Sequence, residues 1–213
     1  QQPSTEIEHK TMSSILQYNG ASIIAMAGDK CVAIAADKRY GIRNQTVGAA
    51  MRKCYAPNDK TLVGLAGLAT DMQTLEAKFA FRHNMYRLRE ERPMRPKTYA
   101  NMVSSLLYET RFGPYFCEPI VAGLDGEDGD EPFLCGMDLL GAQVLTDDFM
   151  VSGDCTEALY GLCESLYRPK LGPDELFETV AQCLLSGVDR DCLSGWGGVV
   201  LVLTPDGLIT RDL

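Results

Sequence analysis

Histidine is almost missing from this sequence: His9 and His83 are the only two among 213 residues. The eight cysteines, at positions 31, 54, 117, 135, 155, 163, 183 and 192, form no C-x-x-C pair. The ligand spacing of a structural zinc site is therefore lacking. No apolar run approaches the roughly 18 residues that cross a bilayer, so no membrane partner is expected. The first twenty residues are polar and lack the apolar core of a secretory leader. Positive charge is in deficit: 20 Lys and Arg stand against 29 Asp and Glu, a net charge of −9. That argues against nucleic acid as the main partner, because phosphate binding needs a basic surface. One locally basic run, Arg82 to Lys97, reads as a solvated helix end and loop.

What is present is globular in character, with 46% hydrophobic and 23% charged residues. The length suits one large domain with a substantial core. Most cysteines lie inside apolar runs such as "KCVAIAAD" and "PFLCGMD", as buried free thiols in a reducing compartment do. Residues 1–11 are polar and expected to be mobile, and Met12 is an alternative start.

Periodicity divides the rest. Ala21–Ala27 and Cys31–Ala36 are apolar strands joined by the turn Gly28-Asp29-Lys30. Arg52–Ala56 and Thr61–Ala66 form a second pair around "PNDK". From Leu68 to Glu91 the period becomes helical through Leu68, Met72, Leu75, Phe79, Met85 and Leu88, with Thr70-Asp71 as start chemistry. Lys97 to Arg111 is a second helix with Ala100, Val103, Leu106 and Leu107 on one face. Strands return at Pro119–Leu124, Pro132–Met137, Gln143–Leu145 and Phe149–Ser152, with an acidic turn "DGEDGDE" between the first two. Helices follow at Thr156–Tyr167 and Pro173–Val188, then strands at Gly198–Leu203 and Leu208–Arg211. Grouped strands and paired helices disfavour a Rossmann sheet. They fit an α+β fold, a four-layer αββα sandwich of two antiparallel sheets flanked by helix pairs.

Three clusters could carry chemistry: Asp37-Lys38-Arg39 at a strand end, Lys53 in "MRKCYAP", and "VDRDCLSGWGG" with Asp189, Asp191, Ser194 and Gly195. Each alone is more often a surface lysine or a turn. Their order is more telling: hairpin, "AADKR", a lysine sixteen residues on, "GLAG", then "RDxxSG". That order resembles the β-type subunits of the 20S proteasome, which have the N-terminal-nucleophile hydrolase fold. The segments "GLAGLATD", "YETRFGPYF", "LTDDFMVSG" and "YGLCESLY" are similar to a non-catalytic type within that family. The resemblance runs from about Ser14 to the end. It divides the chain into a propeptide-like extension, 1–20, and the αββα domain, 21–213.

In active members of that family, a threonine freed by cleavage after a glycine attacks the peptide carbonyl. A lysine held by an aspartate helps to activate it, and its own α-amino group relays protons. A serine and an Asp-Ser pair orient these groups, and a backbone N–H binds the oxyanion. By resemblance the aspartate is Asp37, the lysine Lys53, the supporting serine Ser152, and the remaining trio Asp191, Ser194 and Gly195. The nucleophile position, after Gly20, holds Ala21, which has no hydroxyl.

The expectation is therefore a non-catalytic structural subunit with vestigial site residues and no cofactor. It would support assembly and shape neighbouring active sites in ATP- and ubiquitin-dependent protein degradation, in the cytoplasm and nucleus. Its partners would be other β subunits in a seven-membered ring, an α-ring and the opposite β-ring. The alternative is an active threonine- or serine-type peptidase, which would need Ser22 as a new terminus. In an extended strand Ser22 faces away from the nucleophile side. A binding module unrelated to this family leaves the combined spacing unexplained. The aromatic "RFGPYF" segment is expected either to lie at a contact between subunits or simply to pack into the core. Two further assignments rest on the family alone. Asp125, ending "VAGLD", would line a neighbour's substrate pocket and favour basic side chains, or would be a turn aspartate. The carbonyls of Val188, Asp191 and Ser194 would be the place for a metal ion, although no metal is expected.

Overall fold

The computed structural model describes residues 15–126 and 129–213. The expectations for residues 1–11, for Met12 and for the middle of the acidic turn lie outside the described residues. Three apolar clusters define the layers. Strands β1 (Ser22–Ala27), β2 (Val32–Asp37), β10 (Phe149–Gly153), β11 (Gly198–Thr204) and β12 (Gly207–Asp212) form one sheet, in the order β10-β1-β2-β11-β12. Strands β5 (Cys54–Asn58), β6 (Thr61–Gly67), β7 (Cys117–Asp125), β8 (Glu131–Met137) and β9 (Gln143–Thr146) form the second, in chain order. All their pairings are antiparallel.

Alternation along β1 shows how one strand feeds two layers. Ile24 and Met26 join the cluster under α3 (Thr156–Leu166) and α4 (Pro173–Val188). Ala21, Ile23, Ala25 and Ala27 join the cluster between the sheets. This is the two-residue period of a strand buried on both faces. The third cluster seats α1 (Ala69–Glu90) and α2 (Pro96–Tyr108) on the second sheet through Leu75, Phe79, Tyr99 and Val103. The result is the expected αββα order: α3/α4, sheet, sheet, α1/α2. No helix among the described residues is long and apolar enough to cross a membrane.

The apolar stripe of α1 turns away from the expected line after Phe79. His83 is buried one turn on, whereas Met85 and Leu88 are exposed, Leu88 to 76%. A 3.6-residue period carried from Leu75 and Phe79 arrives at 83, and position 88 lies off that face. Helix α1 also starts differently from expectation. Leu68 occupies its N-cap without a side-chain cap, and the Asp71 carboxylate instead accepts the Phe116 N–H at 2.9 Å. The Ala69 N–H is taken by Asn19 Oδ1 at 2.9 Å, from far upstream in the chain. Two short strands, β3 (Tyr40–Ile42) and β4 (Gln45–Gly48), pair in a hairpin not evident from the sequence pattern. Within "RFGPYF", Phe112 is 97% exposed, while the Tyr115 hydroxyl accepts the Lys78 ammonium at 2.6 Å.

Candidate functional site

The C-terminal end of β2 carries Asp37 into the interior, where it is fully buried. A carboxylate there must be paired or richly hydrogen-bonded, and Asp37 is both. Its Oδ1 accepts the Lys53 ammonium at 2.7 Å and the Ser22 N–H at 2.9 Å. Its Oδ2 accepts the N–H groups of Arg39 and Gly195 at 3.2 and 3.1 Å. Both side chains of the Lys53–Asp37 ion pair are wholly shielded from solvent. Burial pushes the Lys53 ammonium below its ordinary range, while Asp37 pulls it back.

The Lys53 ammonium also donates to the Gly20 carbonyl at 3.0 Å. Ala21, next in the chain, is 1% exposed. Its N–H donates to Asp154 Oδ2 at 2.8 Å, and its carbonyl accepts the Asp154 N–H at 2.8 Å. Burial, with help from Asp191, raises the Asp154 carboxyl to about 6. The methyl of Ala21 joins the inter-sheet cluster. Ser22 lies on the other face, against Cys155.

The segment before Ala21 is built into the fold. The Tyr18 carbonyl accepts the Arg43 N–H at 2.7 Å. Asn19 Nδ2 donates to the Gly41 carbonyl at 2.9 Å while its Oδ1 starts α1. Arg39 is fully buried and directs its guanidinium to the carbonyls of Asn19, Leu193 and Arg43 and to Thr46 Oγ1. Gly20 holds φ at +78°, and a Cβ there would sit 1.9 Å from the Leu193 carbonyl oxygen. That position admits glycine alone.

Opposite lies the loop after α4. Ser194 Oγ donates to Asp191 Oδ2 at 2.6 Å and sits 3.1 Å from Cys155 Sγ. Burial pushes the Asp191 carboxyl up, but hydrogen bonds from Ser194, Cys155 and two backbone N–H groups outweigh it and hold it below its usual range. Burial pushes the Cys155 thiol up to about 11, so it stays protonated and unreactive. The Val188 carbonyl accepts the Asp191 N–H at 3.1 Å, closing the loop on itself. Among the described residues, no group of His, Cys, Asp and Glu side chains is arranged to hold a metal ion.

Asp37, Lys53 and Gly195 thus meet through direct hydrogen bonds, and Asp191 with Ser194 forms an adjoining pair. Ser152 does not join them: its hydroxyl donates to the Glu118 carbonyl at 3.1 Å on the facing sheet. The groups beside Ala21 and Ser194 are Asp154 and Cys155, which the sequence reading passed over. Both follow directly in "VSGDC", two and three residues beyond Ser152. Asp125 lies at the opposite end of β7 from Cys117, the end that pairs with Gly67 near this site. Its carboxylate accepts the Gly126 N–H at 3.0 Å, the turn role.

Residues 17–203 match the family model described as "Proteasome subunit". Among similar proteins are "Proteasome subunit beta type-3" of Picea mariana, 57% identical over 94% of this chain and 97% of the relative, and the protein of that name from Oryza sativa subsp. japonica, 57% identical over 90% and 93%. A third is "Probable proteasome subunit beta type-3" of Schizosaccharomyces pombe, 54% identical over 93% and 96%.

Proposed function

The chain belongs to the proteasome subunit family, and from that premise we propose that it is a β-type subunit that assembles with other proteasome subunits and performs no peptide hydrolysis itself. The single observation that carries this reading is Ala21. A methyl group occupies the position at which the family's nucleophilic hydroxyl would stand, and it packs into the apolar cluster between the sheets. A general base has no proton to remove there. The amine that would relay protons is an amide here, spanned by Asp154. Lys53 is bound to the carbonyl of the bond that would have to break.

The residual network then has a structural purpose. Asp37 and Lys53 satisfy each other, and Arg39 satisfies the surrounding backbone, so removing one member leaves buried groups unpaired. In the particle this chain takes a place in a seven-membered β-ring, beside an α-ring and the opposite β-ring, in the cytoplasm and nucleus. The test is purification of the assembled particle followed by a threonine-reactive covalent probe and intact-mass measurement of each subunit. The expected result is this chain within the particle, unlabelled and with its Gly20–Ala21 bond intact. Label on Ala21, Ser22 or Ile23, or a dominant species beginning at Ala21 or Ser22, overturns the reading.

A further inference from the structure

The basic run from Arg82 to Lys97, expected to be a plain solvated surface, folds around a cavity. The end of α1, the loop into α2, the β5–β6 turn and the end of β7 border a half-open cavity of about 660 Å³. Lys60, His83, Arg87, Arg92 and Arg95 line it, with Asp59 and Asp125 as the carboxylates of its described wall. Arg92 is engaged with Glu90 at 3.6 Å, and Asp125 with its own turn. Among the described residues, neither Arg87 nor Arg95 has a carboxylate within ion-pair distance.

Two further features favour an anion here. Helix α2 has 13 residues and begins at this cavity, with Arg95 as an N-cap that makes no side-chain cap. The positive end of the helix dipole therefore lies at the same space, with Pro96 at the first helical position offering no N–H of its own. His83, only 5% exposed, forms part of the wall, and its Nδ1 has no hydrogen-bond partner among the described residues.

We propose that this cavity receives a carboxylate-bearing segment of an adjacent protein subunit. The inference rests on the reading of this chain as a subunit of an assembly, and names the chemistry of one of its contacts. Guanidinium groups pair with carboxylates in bidentate geometry. The volume is that of a site for a ligand well beyond a single small ion. Met94 and Leu124 supply apolar wall for aliphatic stems. The −9 net charge of the whole chain repels a polyanion such as nucleic acid at long range, whereas a short acidic segment feels mainly the local cations within a Debye length.

The experiment is zero-length carbodiimide coupling on the purified assembled particle, read by mass spectrometry of linked peptides. The Lys60 amine should be joined to an Asp or Glu of another subunit. In R87E/R95E particles that link should fall at least tenfold, and this chain should dissociate at lower salt; R87K/R95K should retain the link. Should R87E/R95E not enter the particle, the single R95Q variant is read instead, with a several-fold drop expected. Lys60 joined only to carboxylates of its own chain, no link at all, or a link indifferent to these substitutions overturns the proposal. So does a link that inorganic phosphate displaces at millimolar concentration, or nucleic acid retained at the cavity. Absence of this chain from the particle on a native gel would instead sink the assembly reading.

Discussion

Lys53 donates to the carbonyl oxygen of Gly20 at 3.0 Å, so its ammonium grips the peptide bond ahead of Ala21. Its remaining strong partner is Asp37, and the pair has no contact with water. Breaking such a pair from one side is more damaging than deleting it whole. K53M should destabilise the chain by about 3–5 kcal/mol, the usual cost of stranding a buried charge. The double variant K53M/D37N should lose clearly less than the sum of the two single losses. Denaturant titration of the four proteins gives the coupling energy, and strict additivity would show that the two groups do not depend on each other.

The pH response of Asp154 has a definite sign. Burial raises its carboxyl to about 6 in the folded chain, against an ordinary value of 3.8. The folded state therefore holds this proton more tightly than the unfolded state. Ionisation of Asp154 opposes folding above about pH 6, and that penalty is relieved as pH falls through 6 towards 4. D154N keeps an oxygen acceptor for the Ala21 N–H and cannot ionise. Relative to wild type it should be at least as stable at pH 7.5, and the difference should shrink by pH 4. A stability difference constant over that range would mean that Asp154 does not titrate as its surroundings imply.

S152A probes the boundary of the cluster. Ser152 Oγ donates to the Glu118 carbonyl, with Glu118 Oε2 3.4 Å away, and makes no hydrogen bond to Asp37 or Lys53. Its loss should cost about 1 kcal/mol, the usual net value of one hydrogen bond. Amide exchange at Ser22 and Gly195, whose N–H groups are held by Asp37, should remain as slow as in wild type. Accelerated exchange at those two amides would place Ser152 in the Asp37 network after all.

These cases show where the sequence was informative. Apolar runs and helical periods located ten of the strands and the four helices to within three residues, most sharply where a strand is buried on both faces as in β1 and β2, whereas the β3–β4 hairpin had no such pattern. Asp37, Lys53 and Gly195 stood in clusters that were weak one by one, and it was the family resemblance that joined them. Ser152 bonds Glu118 on the facing sheet, and Asp154 and Cys155 were overlooked, because a strand end and a following loop differ by one or two residues in where side chains point. A one-residue shift reverses the face. The start of α1 was illegible for another reason: its acceptor, Asn19, is contributed from 50 positions away, beyond the reach of any local motif.

Asn19 gives the last prediction. Its amide joins the Gly41 carbonyl to the Ala69 N–H, so one side chain fastens the segment before Ala21 to both the β3–β4 hairpin and α1. N19A would strip α1 of the acceptor at its first turn, a loss of about 0.5–2 kcal/mol by analogy with a helix cap, and would leave the buried Gly41 carbonyl short of a partner. The segment would still be held by Arg39 and Lys53 through the Asn19 and Gly20 carbonyls. Loosening should therefore be local. Hydrogen exchange should rise at Ala69 and at Arg43, whose N–H binds the Tyr18 carbonyl, while the β1 amides from Ile23 onward stay protected. N19D should keep the helix contact and lose the Gly41 bond, giving faster exchange at Arg43 than at Ala69. Equal acceleration throughout β1 in N19A would show that Asn19 supports the whole sheet rather than the segment ahead of it.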